Sequence, residues 1–165
     1  MPTVEIRPAR PDERGTIQNL SQLYAYDWSD LLALDVGEDG RFHVGSLEAY
    51  ERDERCHPFL FRVDGHVMGF AWVCARSRLT GALDVFDMAE FFVMRRYRRQ
   101  GIGRQAACAL FERFKGTWEV RQRAEHPAAS RFWRAVIRSY THRDLDEVTW
   151  RDAHGSGPVQ RFSTG

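Results

Sequence analysis

Val93-Met94-Arg95-Arg96-Tyr97-Arg98-Arg99-Gln100-Gly101-Ile102-Gly103-Arg104 is the stretch on which the fold reading turns. It completes an apolar run, Phe91-Phe92-Val93-Met94, of the kind found in a strand covered on both faces. Beyond it Ile102, Ala106, Leu110 and Phe114 recur every four residues, with Ala107 and Phe111 beside them. That spacing predicts a helix from Gly103 to Lys115, with Gly116 as its C-cap. A strand therefore enters a basic, glycine-punctuated loop, and a helix leaves it. The first N–H groups of a helix lack intrahelical acceptors and carry partial positive charge, so such a terminus attracts phosphate. Gly101 and Gly103 let the backbone come close to an anion. Arg95, Arg96, Arg98, Arg99 and Arg104 add positive potential, and the whole loop suits a diphosphate.

Two common phosphate motifs are excluded. There is no GxxxxGK[ST]. GxGxxG fails because position 106 is alanine and no acidic residue follows at the ribose position. What remains is [Arg/Gln]-x-x-Gly-x-Gly, written here Arg98-Arg99-Gln100-Gly101-Ile102-Gly103.

Upstream, Val4–Arg7 alternates as a short strand, and Pro11-Asp12-Glu13 suits a first helical turn. Ile17, Leu20, Leu23 and Tyr24 continue that helix, which should fray near Tyr26-Asp27-Trp28. A Gly- and Asp-rich loop over 35–45 leads to a short capped helix over 46–50. Phe59, Phe61 and Val63 alternate, Asp64-Gly65 signals a two-residue hairpin, and His66–Ala75 is the partner strand with Phe70, Trp72 and Cys74 on one face. Ser77–Gly81 turns the chain into a strand from Asp84 to Met94. Downstream come a strand over Trp118–Arg123 and a helix opened by Pro127, whose buried stripe is Ala129, Phe132, Trp133, Val136, Ile137 and Tyr140. Val148–Arg151 and Val159–Phe162 read as closing strands separated by Gly155-Ser156-Gly157. The order β-α-α-β-β-β-α-β-α-β-β, with no repeat or long linker, predicts a mixed α/β fold and one domain over 1–165.

Composition narrows the classes. The 165 residues are 43% hydrophobic and 28% charged, with a formal net charge of +1, which argues against a dedicated nucleic-acid or membrane-surface binder. No apolar run approaches the roughly 20 residues of a membrane span, and residues 1–14 have no apolar signal core. Cys56, Cys74 and Cys108 form an odd set without CxxC, so three free thiols in a reducing cytoplasm are expected. The six histidines show no metal-ligand spacing, and no metal is expected.

The loop also fits the phrasing V-x-x-x-Y-R-x-x-G-x-G, through Val93, Tyr97, Arg98, Gly101 and Gly103. Downstream, Glu125-His126-Pro127-Ala128-Ala129-Ser130-Arg131-Phe132-Trp133 is similar to N-x-x-A-x-x-F-[Y/W]. Both segments, and the order of elements along nearly the whole chain, resemble the GCN5-related N-acetyltransferase (GNAT) superfamily. The resemblance implies a three-layer α/β/α domain around a central mixed, splayed sheet. It implies acetyl-coenzyme A as co-substrate, with its pyrophosphate held by the loop of Arg95, Arg98, Arg99, Gln100, Gly101, Ile102, Gly103 and Arg104. It implies the Val93 N–H as the donor to the acetyl carbonyl. His126 stands where the family often has Asn near the pantetheine arm, and Trp133 stands where many members carry a tyrosine acid. Indole cannot protonate a thiolate, so the customary acid is missing.

The implied reaction moves acetyl to a primary amine of a small molecule or protein. Glu90 is the candidate base, since it lies three residues before Val93 and its apolar neighbours Met88, Ala89, Phe91 and Phe92 should raise its pKa. The family's first helices shape the acceptor pocket, which points to Tyr26, Asp27 and Trp28, near Asp30, Asp35, Glu38 and Asp39. Carboxylates among aromatics suit a cationic amine. Homodimers are an assembly to expect from the resemblance. The alternative is a catalytically weak relative that binds coenzyme A for regulation or assembly.

Overall fold

Asp64 and Gly65 take positive φ values of 49° and 78°, the geometry that closes a two-residue hairpin. In the computed structural model, which describes residues 2–165, this hairpin joins β2 (Cys56–Val63) to β3 (His66–Cys74). β1 (Glu5–Pro8) adds antiparallel to the outer edge of β2. β4 (Val85–Val93) lies antiparallel to β3 and runs parallel to β5 (Gly116–Arg121). β6 (Asp146–Asp152) and β7 (Gly155–Thr164) form a closing hairpin that inserts β7 next to β5. The result is one seven-stranded mixed sheet of order β1-β2-β3-β4-β5-β7-β6.

Helices cover both faces. α3 (Ile102–Arg113) and α4 (Pro127–Thr141) pack Ile102, Ala106, Leu110, Phe111, Trp133, Val136 and Ile137 onto Phe59, Phe61, Met88, Val93, Trp118 and Val120. α1 (Arg14–Leu32) and α2 (Gly45–Tyr50) pack Ile17, Leu20 and Tyr50 onto Leu60, Phe70, Trp72, Cys74, Ala89 and Phe92. The apolar end of β4 thus serves two cores, with Phe91 and Val93 facing one and Phe92 and Met94 facing the other.

Several local expectations change. α1 does not fray at residues 26–28 but continues to Leu32 and ends at Ala33 in the left-handed region. Tertiary contacts hold its last turns: Trp28 meets the Tyr24 and His126 rings edge-on, and Asp27 is gripped by two arginines. Gly116 is no C-cap. Phe114 caps α3, the Trp118 indole N–H takes its carbonyl at 2.8 Å, and Gly116 opens β5. Ala153-His154 forms the last hairpin turn, with Gly155 already in β7. Tyr140 is half-buried at the core's edge, and its hydroxyl donates to Glu112 at 2.5 Å.

The cysteines are the clearest correction. Cys56 and Cys74 sit directly opposite in the β2–β3 ladder and form a disulfide, and Cys108 alone is free. They lie 18 residues apart, so only strand register brings them together. The three free thiols expected of a reducing cytoplasm are thus one, and a single thiol says nothing of the compartment. Among the described residues no helix is long and apolar enough to cross a membrane.

Candidate active site

β4 and β5 begin as neighbours and then part. Their parallel ladder spans only Val85–Asp87 against Thr117–Glu119. β5 continues along β7 to Arg121, while β4 continues along β3 to Val93. Ala89 is an extra residue in the β3–β4 register, between Met88 opposite Val73 and Glu90 opposite Trp72. Such a bulge bends and twists its strand and re-aims the side chains around it. From Met88 onward the β5-side edge of β4 has no ladder partner, and a slot opens between the strands.

Val93 faces that slot. Met94 N–H donates to Met68 O at 2.8 Å, so by ladder alternation Val93, opposite Gly69, turns its N–H and C=O away from β3. The carbonyl accepts from Arg98 Nε at 2.7 Å. The N–H points into the gap that β5 has left.

The loop after β4 ends in an anion cradle. Arg99 and Gly101 take φ of 60° and 76°, and Gly101 is the N-cap of α3 without a side-chain cap. The first intrahelical bond runs from Gln105 N–H to Gly101 O. The amides of Ile102, Gly103 and Arg104 therefore have no acceptor within the helix. Three unpaired amides at a helix start suit a phosphate, and the left-handed Gly101 supplies the turn that aims them. Gly103 is small for a second reason. A Cβ there would meet the Phe132 ring at 3.2 Å and 3.3 Å, so this glycine sets how closely α3 approaches α4.

The loop arginines differ in what holds them. Arg95 donates through Nε to Asp27 Oδ1 at 2.9 Å, and Arg98 reaches Asp27 Oδ2 through Nη2. Arg96 lies over the Tyr97 ring, and Gln100 donates to Arg96 O at 2.8 Å. Arg104 donates to Ser139 Oγ of α4 at 2.6 Å. Arg99 is exposed and makes no ion pair among the described residues.

Glu90 lies on the other face of the sheet, under α1 and α2. Its Oε2 accepts from the Tyr24 hydroxyl at 2.6 Å and its Oε1 from the Tyr50 hydroxyl at 3.2 Å. Arg78 Nη1 donates to the Tyr50 oxygen at 2.7 Å. Burial pushes the Glu90 carboxyl above the ordinary carboxylate value, while the Tyr24 phenol, Arg78 and the Tyr50 phenol oppose that shift. Burial and the neighbouring Glu90 hold both phenols above their ordinary values. Asp87, one bulge upstream, is 2% exposed and is pushed by burial to about 6, against the pull of Arg121 and Arg78. Its Oδ1 has no hydrogen-bond partner, since Arg121 Nε stands off at 3.8 Å.

The other sequence-derived residues fall in varied places. Asp27 is no open acceptor carboxylate, because the loop arginines occupy it. Trp28 packs between Tyr24 and His126, at ring distances of 6.2 Å and 5.2 Å. Tyr26 is 66% exposed on the opposite side of α1 and is not brought to Glu90. His126 caps α4, with Nδ1 accepting from Ala129 N–H at 3.1 Å, which leaves the ring proton on Nε2. Trp133 is 6% exposed, wedged against Phe91, Phe111 and Phe132 in the core. Sequence reading gave Glu90 no partner. Tyr50 and Arg78 were missed because nothing local marks them; they reach Glu90 from α2 and from the β3–β4 turn.

The sequence pattern of the acetyltransferase (GNAT) family matches residues 20–137. No curated protein matches the chain. Solved structures share the fold. An acetyltransferase from Thermus thermophilus superposes with a TM-score of 0.68 at 16% identity, covering 99% of each chain. The ribosomal-protein-S18-alanine N-acetyltransferase from Escherichia coli has a TM-score of 0.60 at 17% identity, over 99% of this chain and 95% of its own. The yncA protein of Salmonella typhimurium, solved with its cofactor acetyl-CoA, has a TM-score of 0.62 at 13% identity, over 99% and 95%. A seven-stranded mixed sheet parted at β4 and β5, with an anion cradle at the start of α3, is the setting of the matched segment, and the chain belongs to the acetyltransferase (GNAT) family.

Proposed function

We propose that the protein transfers the acetyl group of acetyl-coenzyme A to a primary amine, by direct attack within a ternary complex. The carrying observation is Glu90, set on β4 beside the strand gap and held by two phenols. Bound acetyl-coenzyme A supplies an acetyl carbon on a thioester, open to an amine. The amides of Ile102, Gly103 and Arg104 hold its pyrophosphate, with Arg99 and Arg104 nearby. The Val93 N–H donates to the acetyl oxygen as negative charge grows there. Glu90 takes the amine proton, directly or through a water, and burial makes it a stronger base than an ordinary carboxylate. His126, held by the cap at Nδ1 and edge-on to the Trp28 ring, orients the amide arm of the cofactor through Nε2. The Trp133 indole cannot protonate the leaving sulfur, and the thiolate leaves without help from that position.

The buried Trp133 also favours a second reading, a coenzyme A binder without turnover. Thiol release from acetyl-coenzyme A, dependent on an added amine, separates the two. Calorimetric binding of acetyl-coenzyme A without thiol release on any primary amine would overturn the transfer reading. Absence of binding at millimolar concentration would overturn both.

A further inference from the structure

α1 and α2 cover only β2 to β4 of their face, and none of the apolar residues in that layer comes from β5, β6 or β7. Beyond Glu90 this face carries charged side chains among Val159 and Trp150, with Arg121 over the Trp150 ring. Its charges pair off: Arg161 Nη2 donates to Glu119 Oε1 at 2.7 Å, and Arg121 stands over Asp87. Arg78 does not pair. The residue is exposed, and among the described residues it makes no ion pair; its one hydrogen bond runs from Nη1 to the Tyr50 oxygen, and its head is partly buried beside that phenol. A guanidinium carries five N–H donors in a fixed fork, so most of this one is free for a ligand.

The turn that carries Arg78 is firmly anchored. Ser77 is 2% exposed, and its Oγ donates to Glu119 Oε2 at 2.8 Å. The same oxygen accepts from Leu79 N–H at 3.2 Å and Thr80 N–H at 3.1 Å. Ser77 N–H donates to Ala82 O at 2.8 Å, which closes the turn. An arginine that merely improves solubility has no use for a buried serine–glutamate anchor beneath it or a shared phenol with Glu90.

We propose that the acceptor is an amine bearing a carboxylate one or two carbons from its nitrogen, a free amino acid or close analogue, and that Arg78 binds that carboxylate. This rests on the acetyl-transfer reading above. Distances support the class. The Tyr50 oxygen is 2.7 Å from Arg78 Nη1 and 3.2 Å from Glu90 Oε1, so the guanidinium and the base are at most about 6 Å apart. An amino acid separates its nitrogen from its carboxylate oxygens by about 3 Å, so one molecule reaches both groups. A polyamine would set a second cation against Arg78, and a lysine within a protein has only amides at that distance. In the acidic stretch that suggested a cationic acceptor, Asp27 is already committed to Arg95 and Arg98. In the reaction the N–C bond forms as the C–S bond breaks. One amine proton leaves through Glu90, coenzyme A departs as its thiolate and takes a proton from solvent, and the carboxylate is unchanged.

The test uses the full chain, acetyl-coenzyme A, and a panel of amino acids each paired with its methyl ester. Ester amines are less basic and more of them are free at neutral pH, which biases the comparison against the proposal. The expected result is about tenfold or more higher kcat/KM for each acid, carried by KM, as a charge-assisted hydrogen bond provides. Arg78→Gln should bring acid and ester within about threefold by raising KM for the acid, and Arg78→Lys should keep part of the preference. A second readout needs no turnover: by calorimetry an N-acetyl amino acid should bind the protein saturated with coenzyme A, and its ester should not. Equal turnover of acid and ester overturns the proposal alone. So does an equal loss on both in Arg78→Gln, which would make Arg78 only a prop for Tyr50. Turnover of no amine, with acetyl-coenzyme A bound, overturns the transfer reading and this proposal with it.

Discussion

Glu90→Gln removes a charge and keeps the shape of the site. Glutamine can still accept from Tyr24 through its oxygen, and its amide can donate to the Tyr50 oxygen, which already accepts from Arg78. The base is what disappears. A positioned base contributes about 10²–10⁴ in rate. Without it the enzyme must wait for amine that has already lost its proton. For an amine with a pKa near 10.4, that is about one molecule in 2,500 at pH 7 and about one in 25 at pH 9. The variant should therefore lose about 100-fold or more in kcat/KM at pH 7, recover about tenfold per pH unit, and lie within about tenfold of the native enzyme near pH 9. The native acid limb follows from Glu90 as well. Burial raises its carboxyl, so activity falls as pH drops through a value above the ordinary carboxylate range. Glu90→Gln lacks that titration, and its rate should climb smoothly with pH. Thiol release across pH 5.5–9.5 measures both profiles. An equal fractional loss at pH 7 and pH 9, or an acid limb that survives in the variant, refutes the base role.

Asp87 is displaced from 3.8 to about 6, equivalent to about 3 kcal/mol. Because the folded carboxyl holds its proton more tightly, that stabilisation is present below about pH 4 and lost as pH rises through 6. Urea midpoints of native and Asp87→Asn protein should therefore diverge across this window, and parallel profiles would disprove it. Gly101→Val forces a β-branched residue into a left-handed conformation that costs an ordinary residue about 1–2 kcal/mol, and acetyl-coenzyme A affinity should drop about tenfold or more by calorimetry. Gly101→Asn, which tolerates that conformation, should stay near native; two native-like variants would misplace the cradle. Cys56→Ser should cost about 3 kcal/mol under oxidising conditions and almost nothing in excess reductant, an interaction that urea titration with and without thiol reads directly. Asp27→Asn frees Arg95 and Arg98 and should tighten acetyl-coenzyme A binding about threefold with a steeper salt dependence, whereas weaker binding would make Asp27 a positioning residue.

Element types were legible wherever one physical signal dominated. Asp64-Gly65 states its turn because few pairs accept two positive φ values. Phe91 to Met94 states a doubly covered strand because both its faces are apolar. Ile102 to Leu110 repeats at helical spacing, and the anion loop before it follows from what a helix start lacks. Ends were less legible, since tertiary contacts decide them. Nothing in Tyr26-Asp27-Trp28 says that Arg95 and Arg98, 68 and 71 residues beyond Asp27, will hold the helix together. The disulfide was illegible for the same reason: opposition of Cys56 and Cys74 is a property of register, not of spacing.

The site shows how far this goes. Glu90 could be named from its place before Val93 and its apolar neighbours, but its chemistry depends on groups that sequence cannot bring to it. Tyr24 arrives because α1 crosses β3 and β4 with its apolar stripe down, and the Phe70 and Phe92 rings fix it at 5.7 Å and 5.6 Å. Tyr50 arrives because a six-residue helix ends against Trp72, at a ring distance of 5.8 Å. The bulge at Ala89 matters most. Without the extra residue, strict alternation would turn either Glu90 or Asp87 to the opposite face, and β4 could stay in ladder with β5 past Asp87. One inserted residue thus opens the slot, exposes the Val93 N–H and stacks two carboxyls on the face that Arg78 and Arg121 share. Deleting Ala89 should therefore abolish acetyl-coenzyme A binding and shift Glu90 out of contact with Tyr24 together, while the β2–β3 hairpin and its disulfide persist. If binding and the Tyr24–Glu90 contact were lost independently in such a variant, the bulge would not be their common cause.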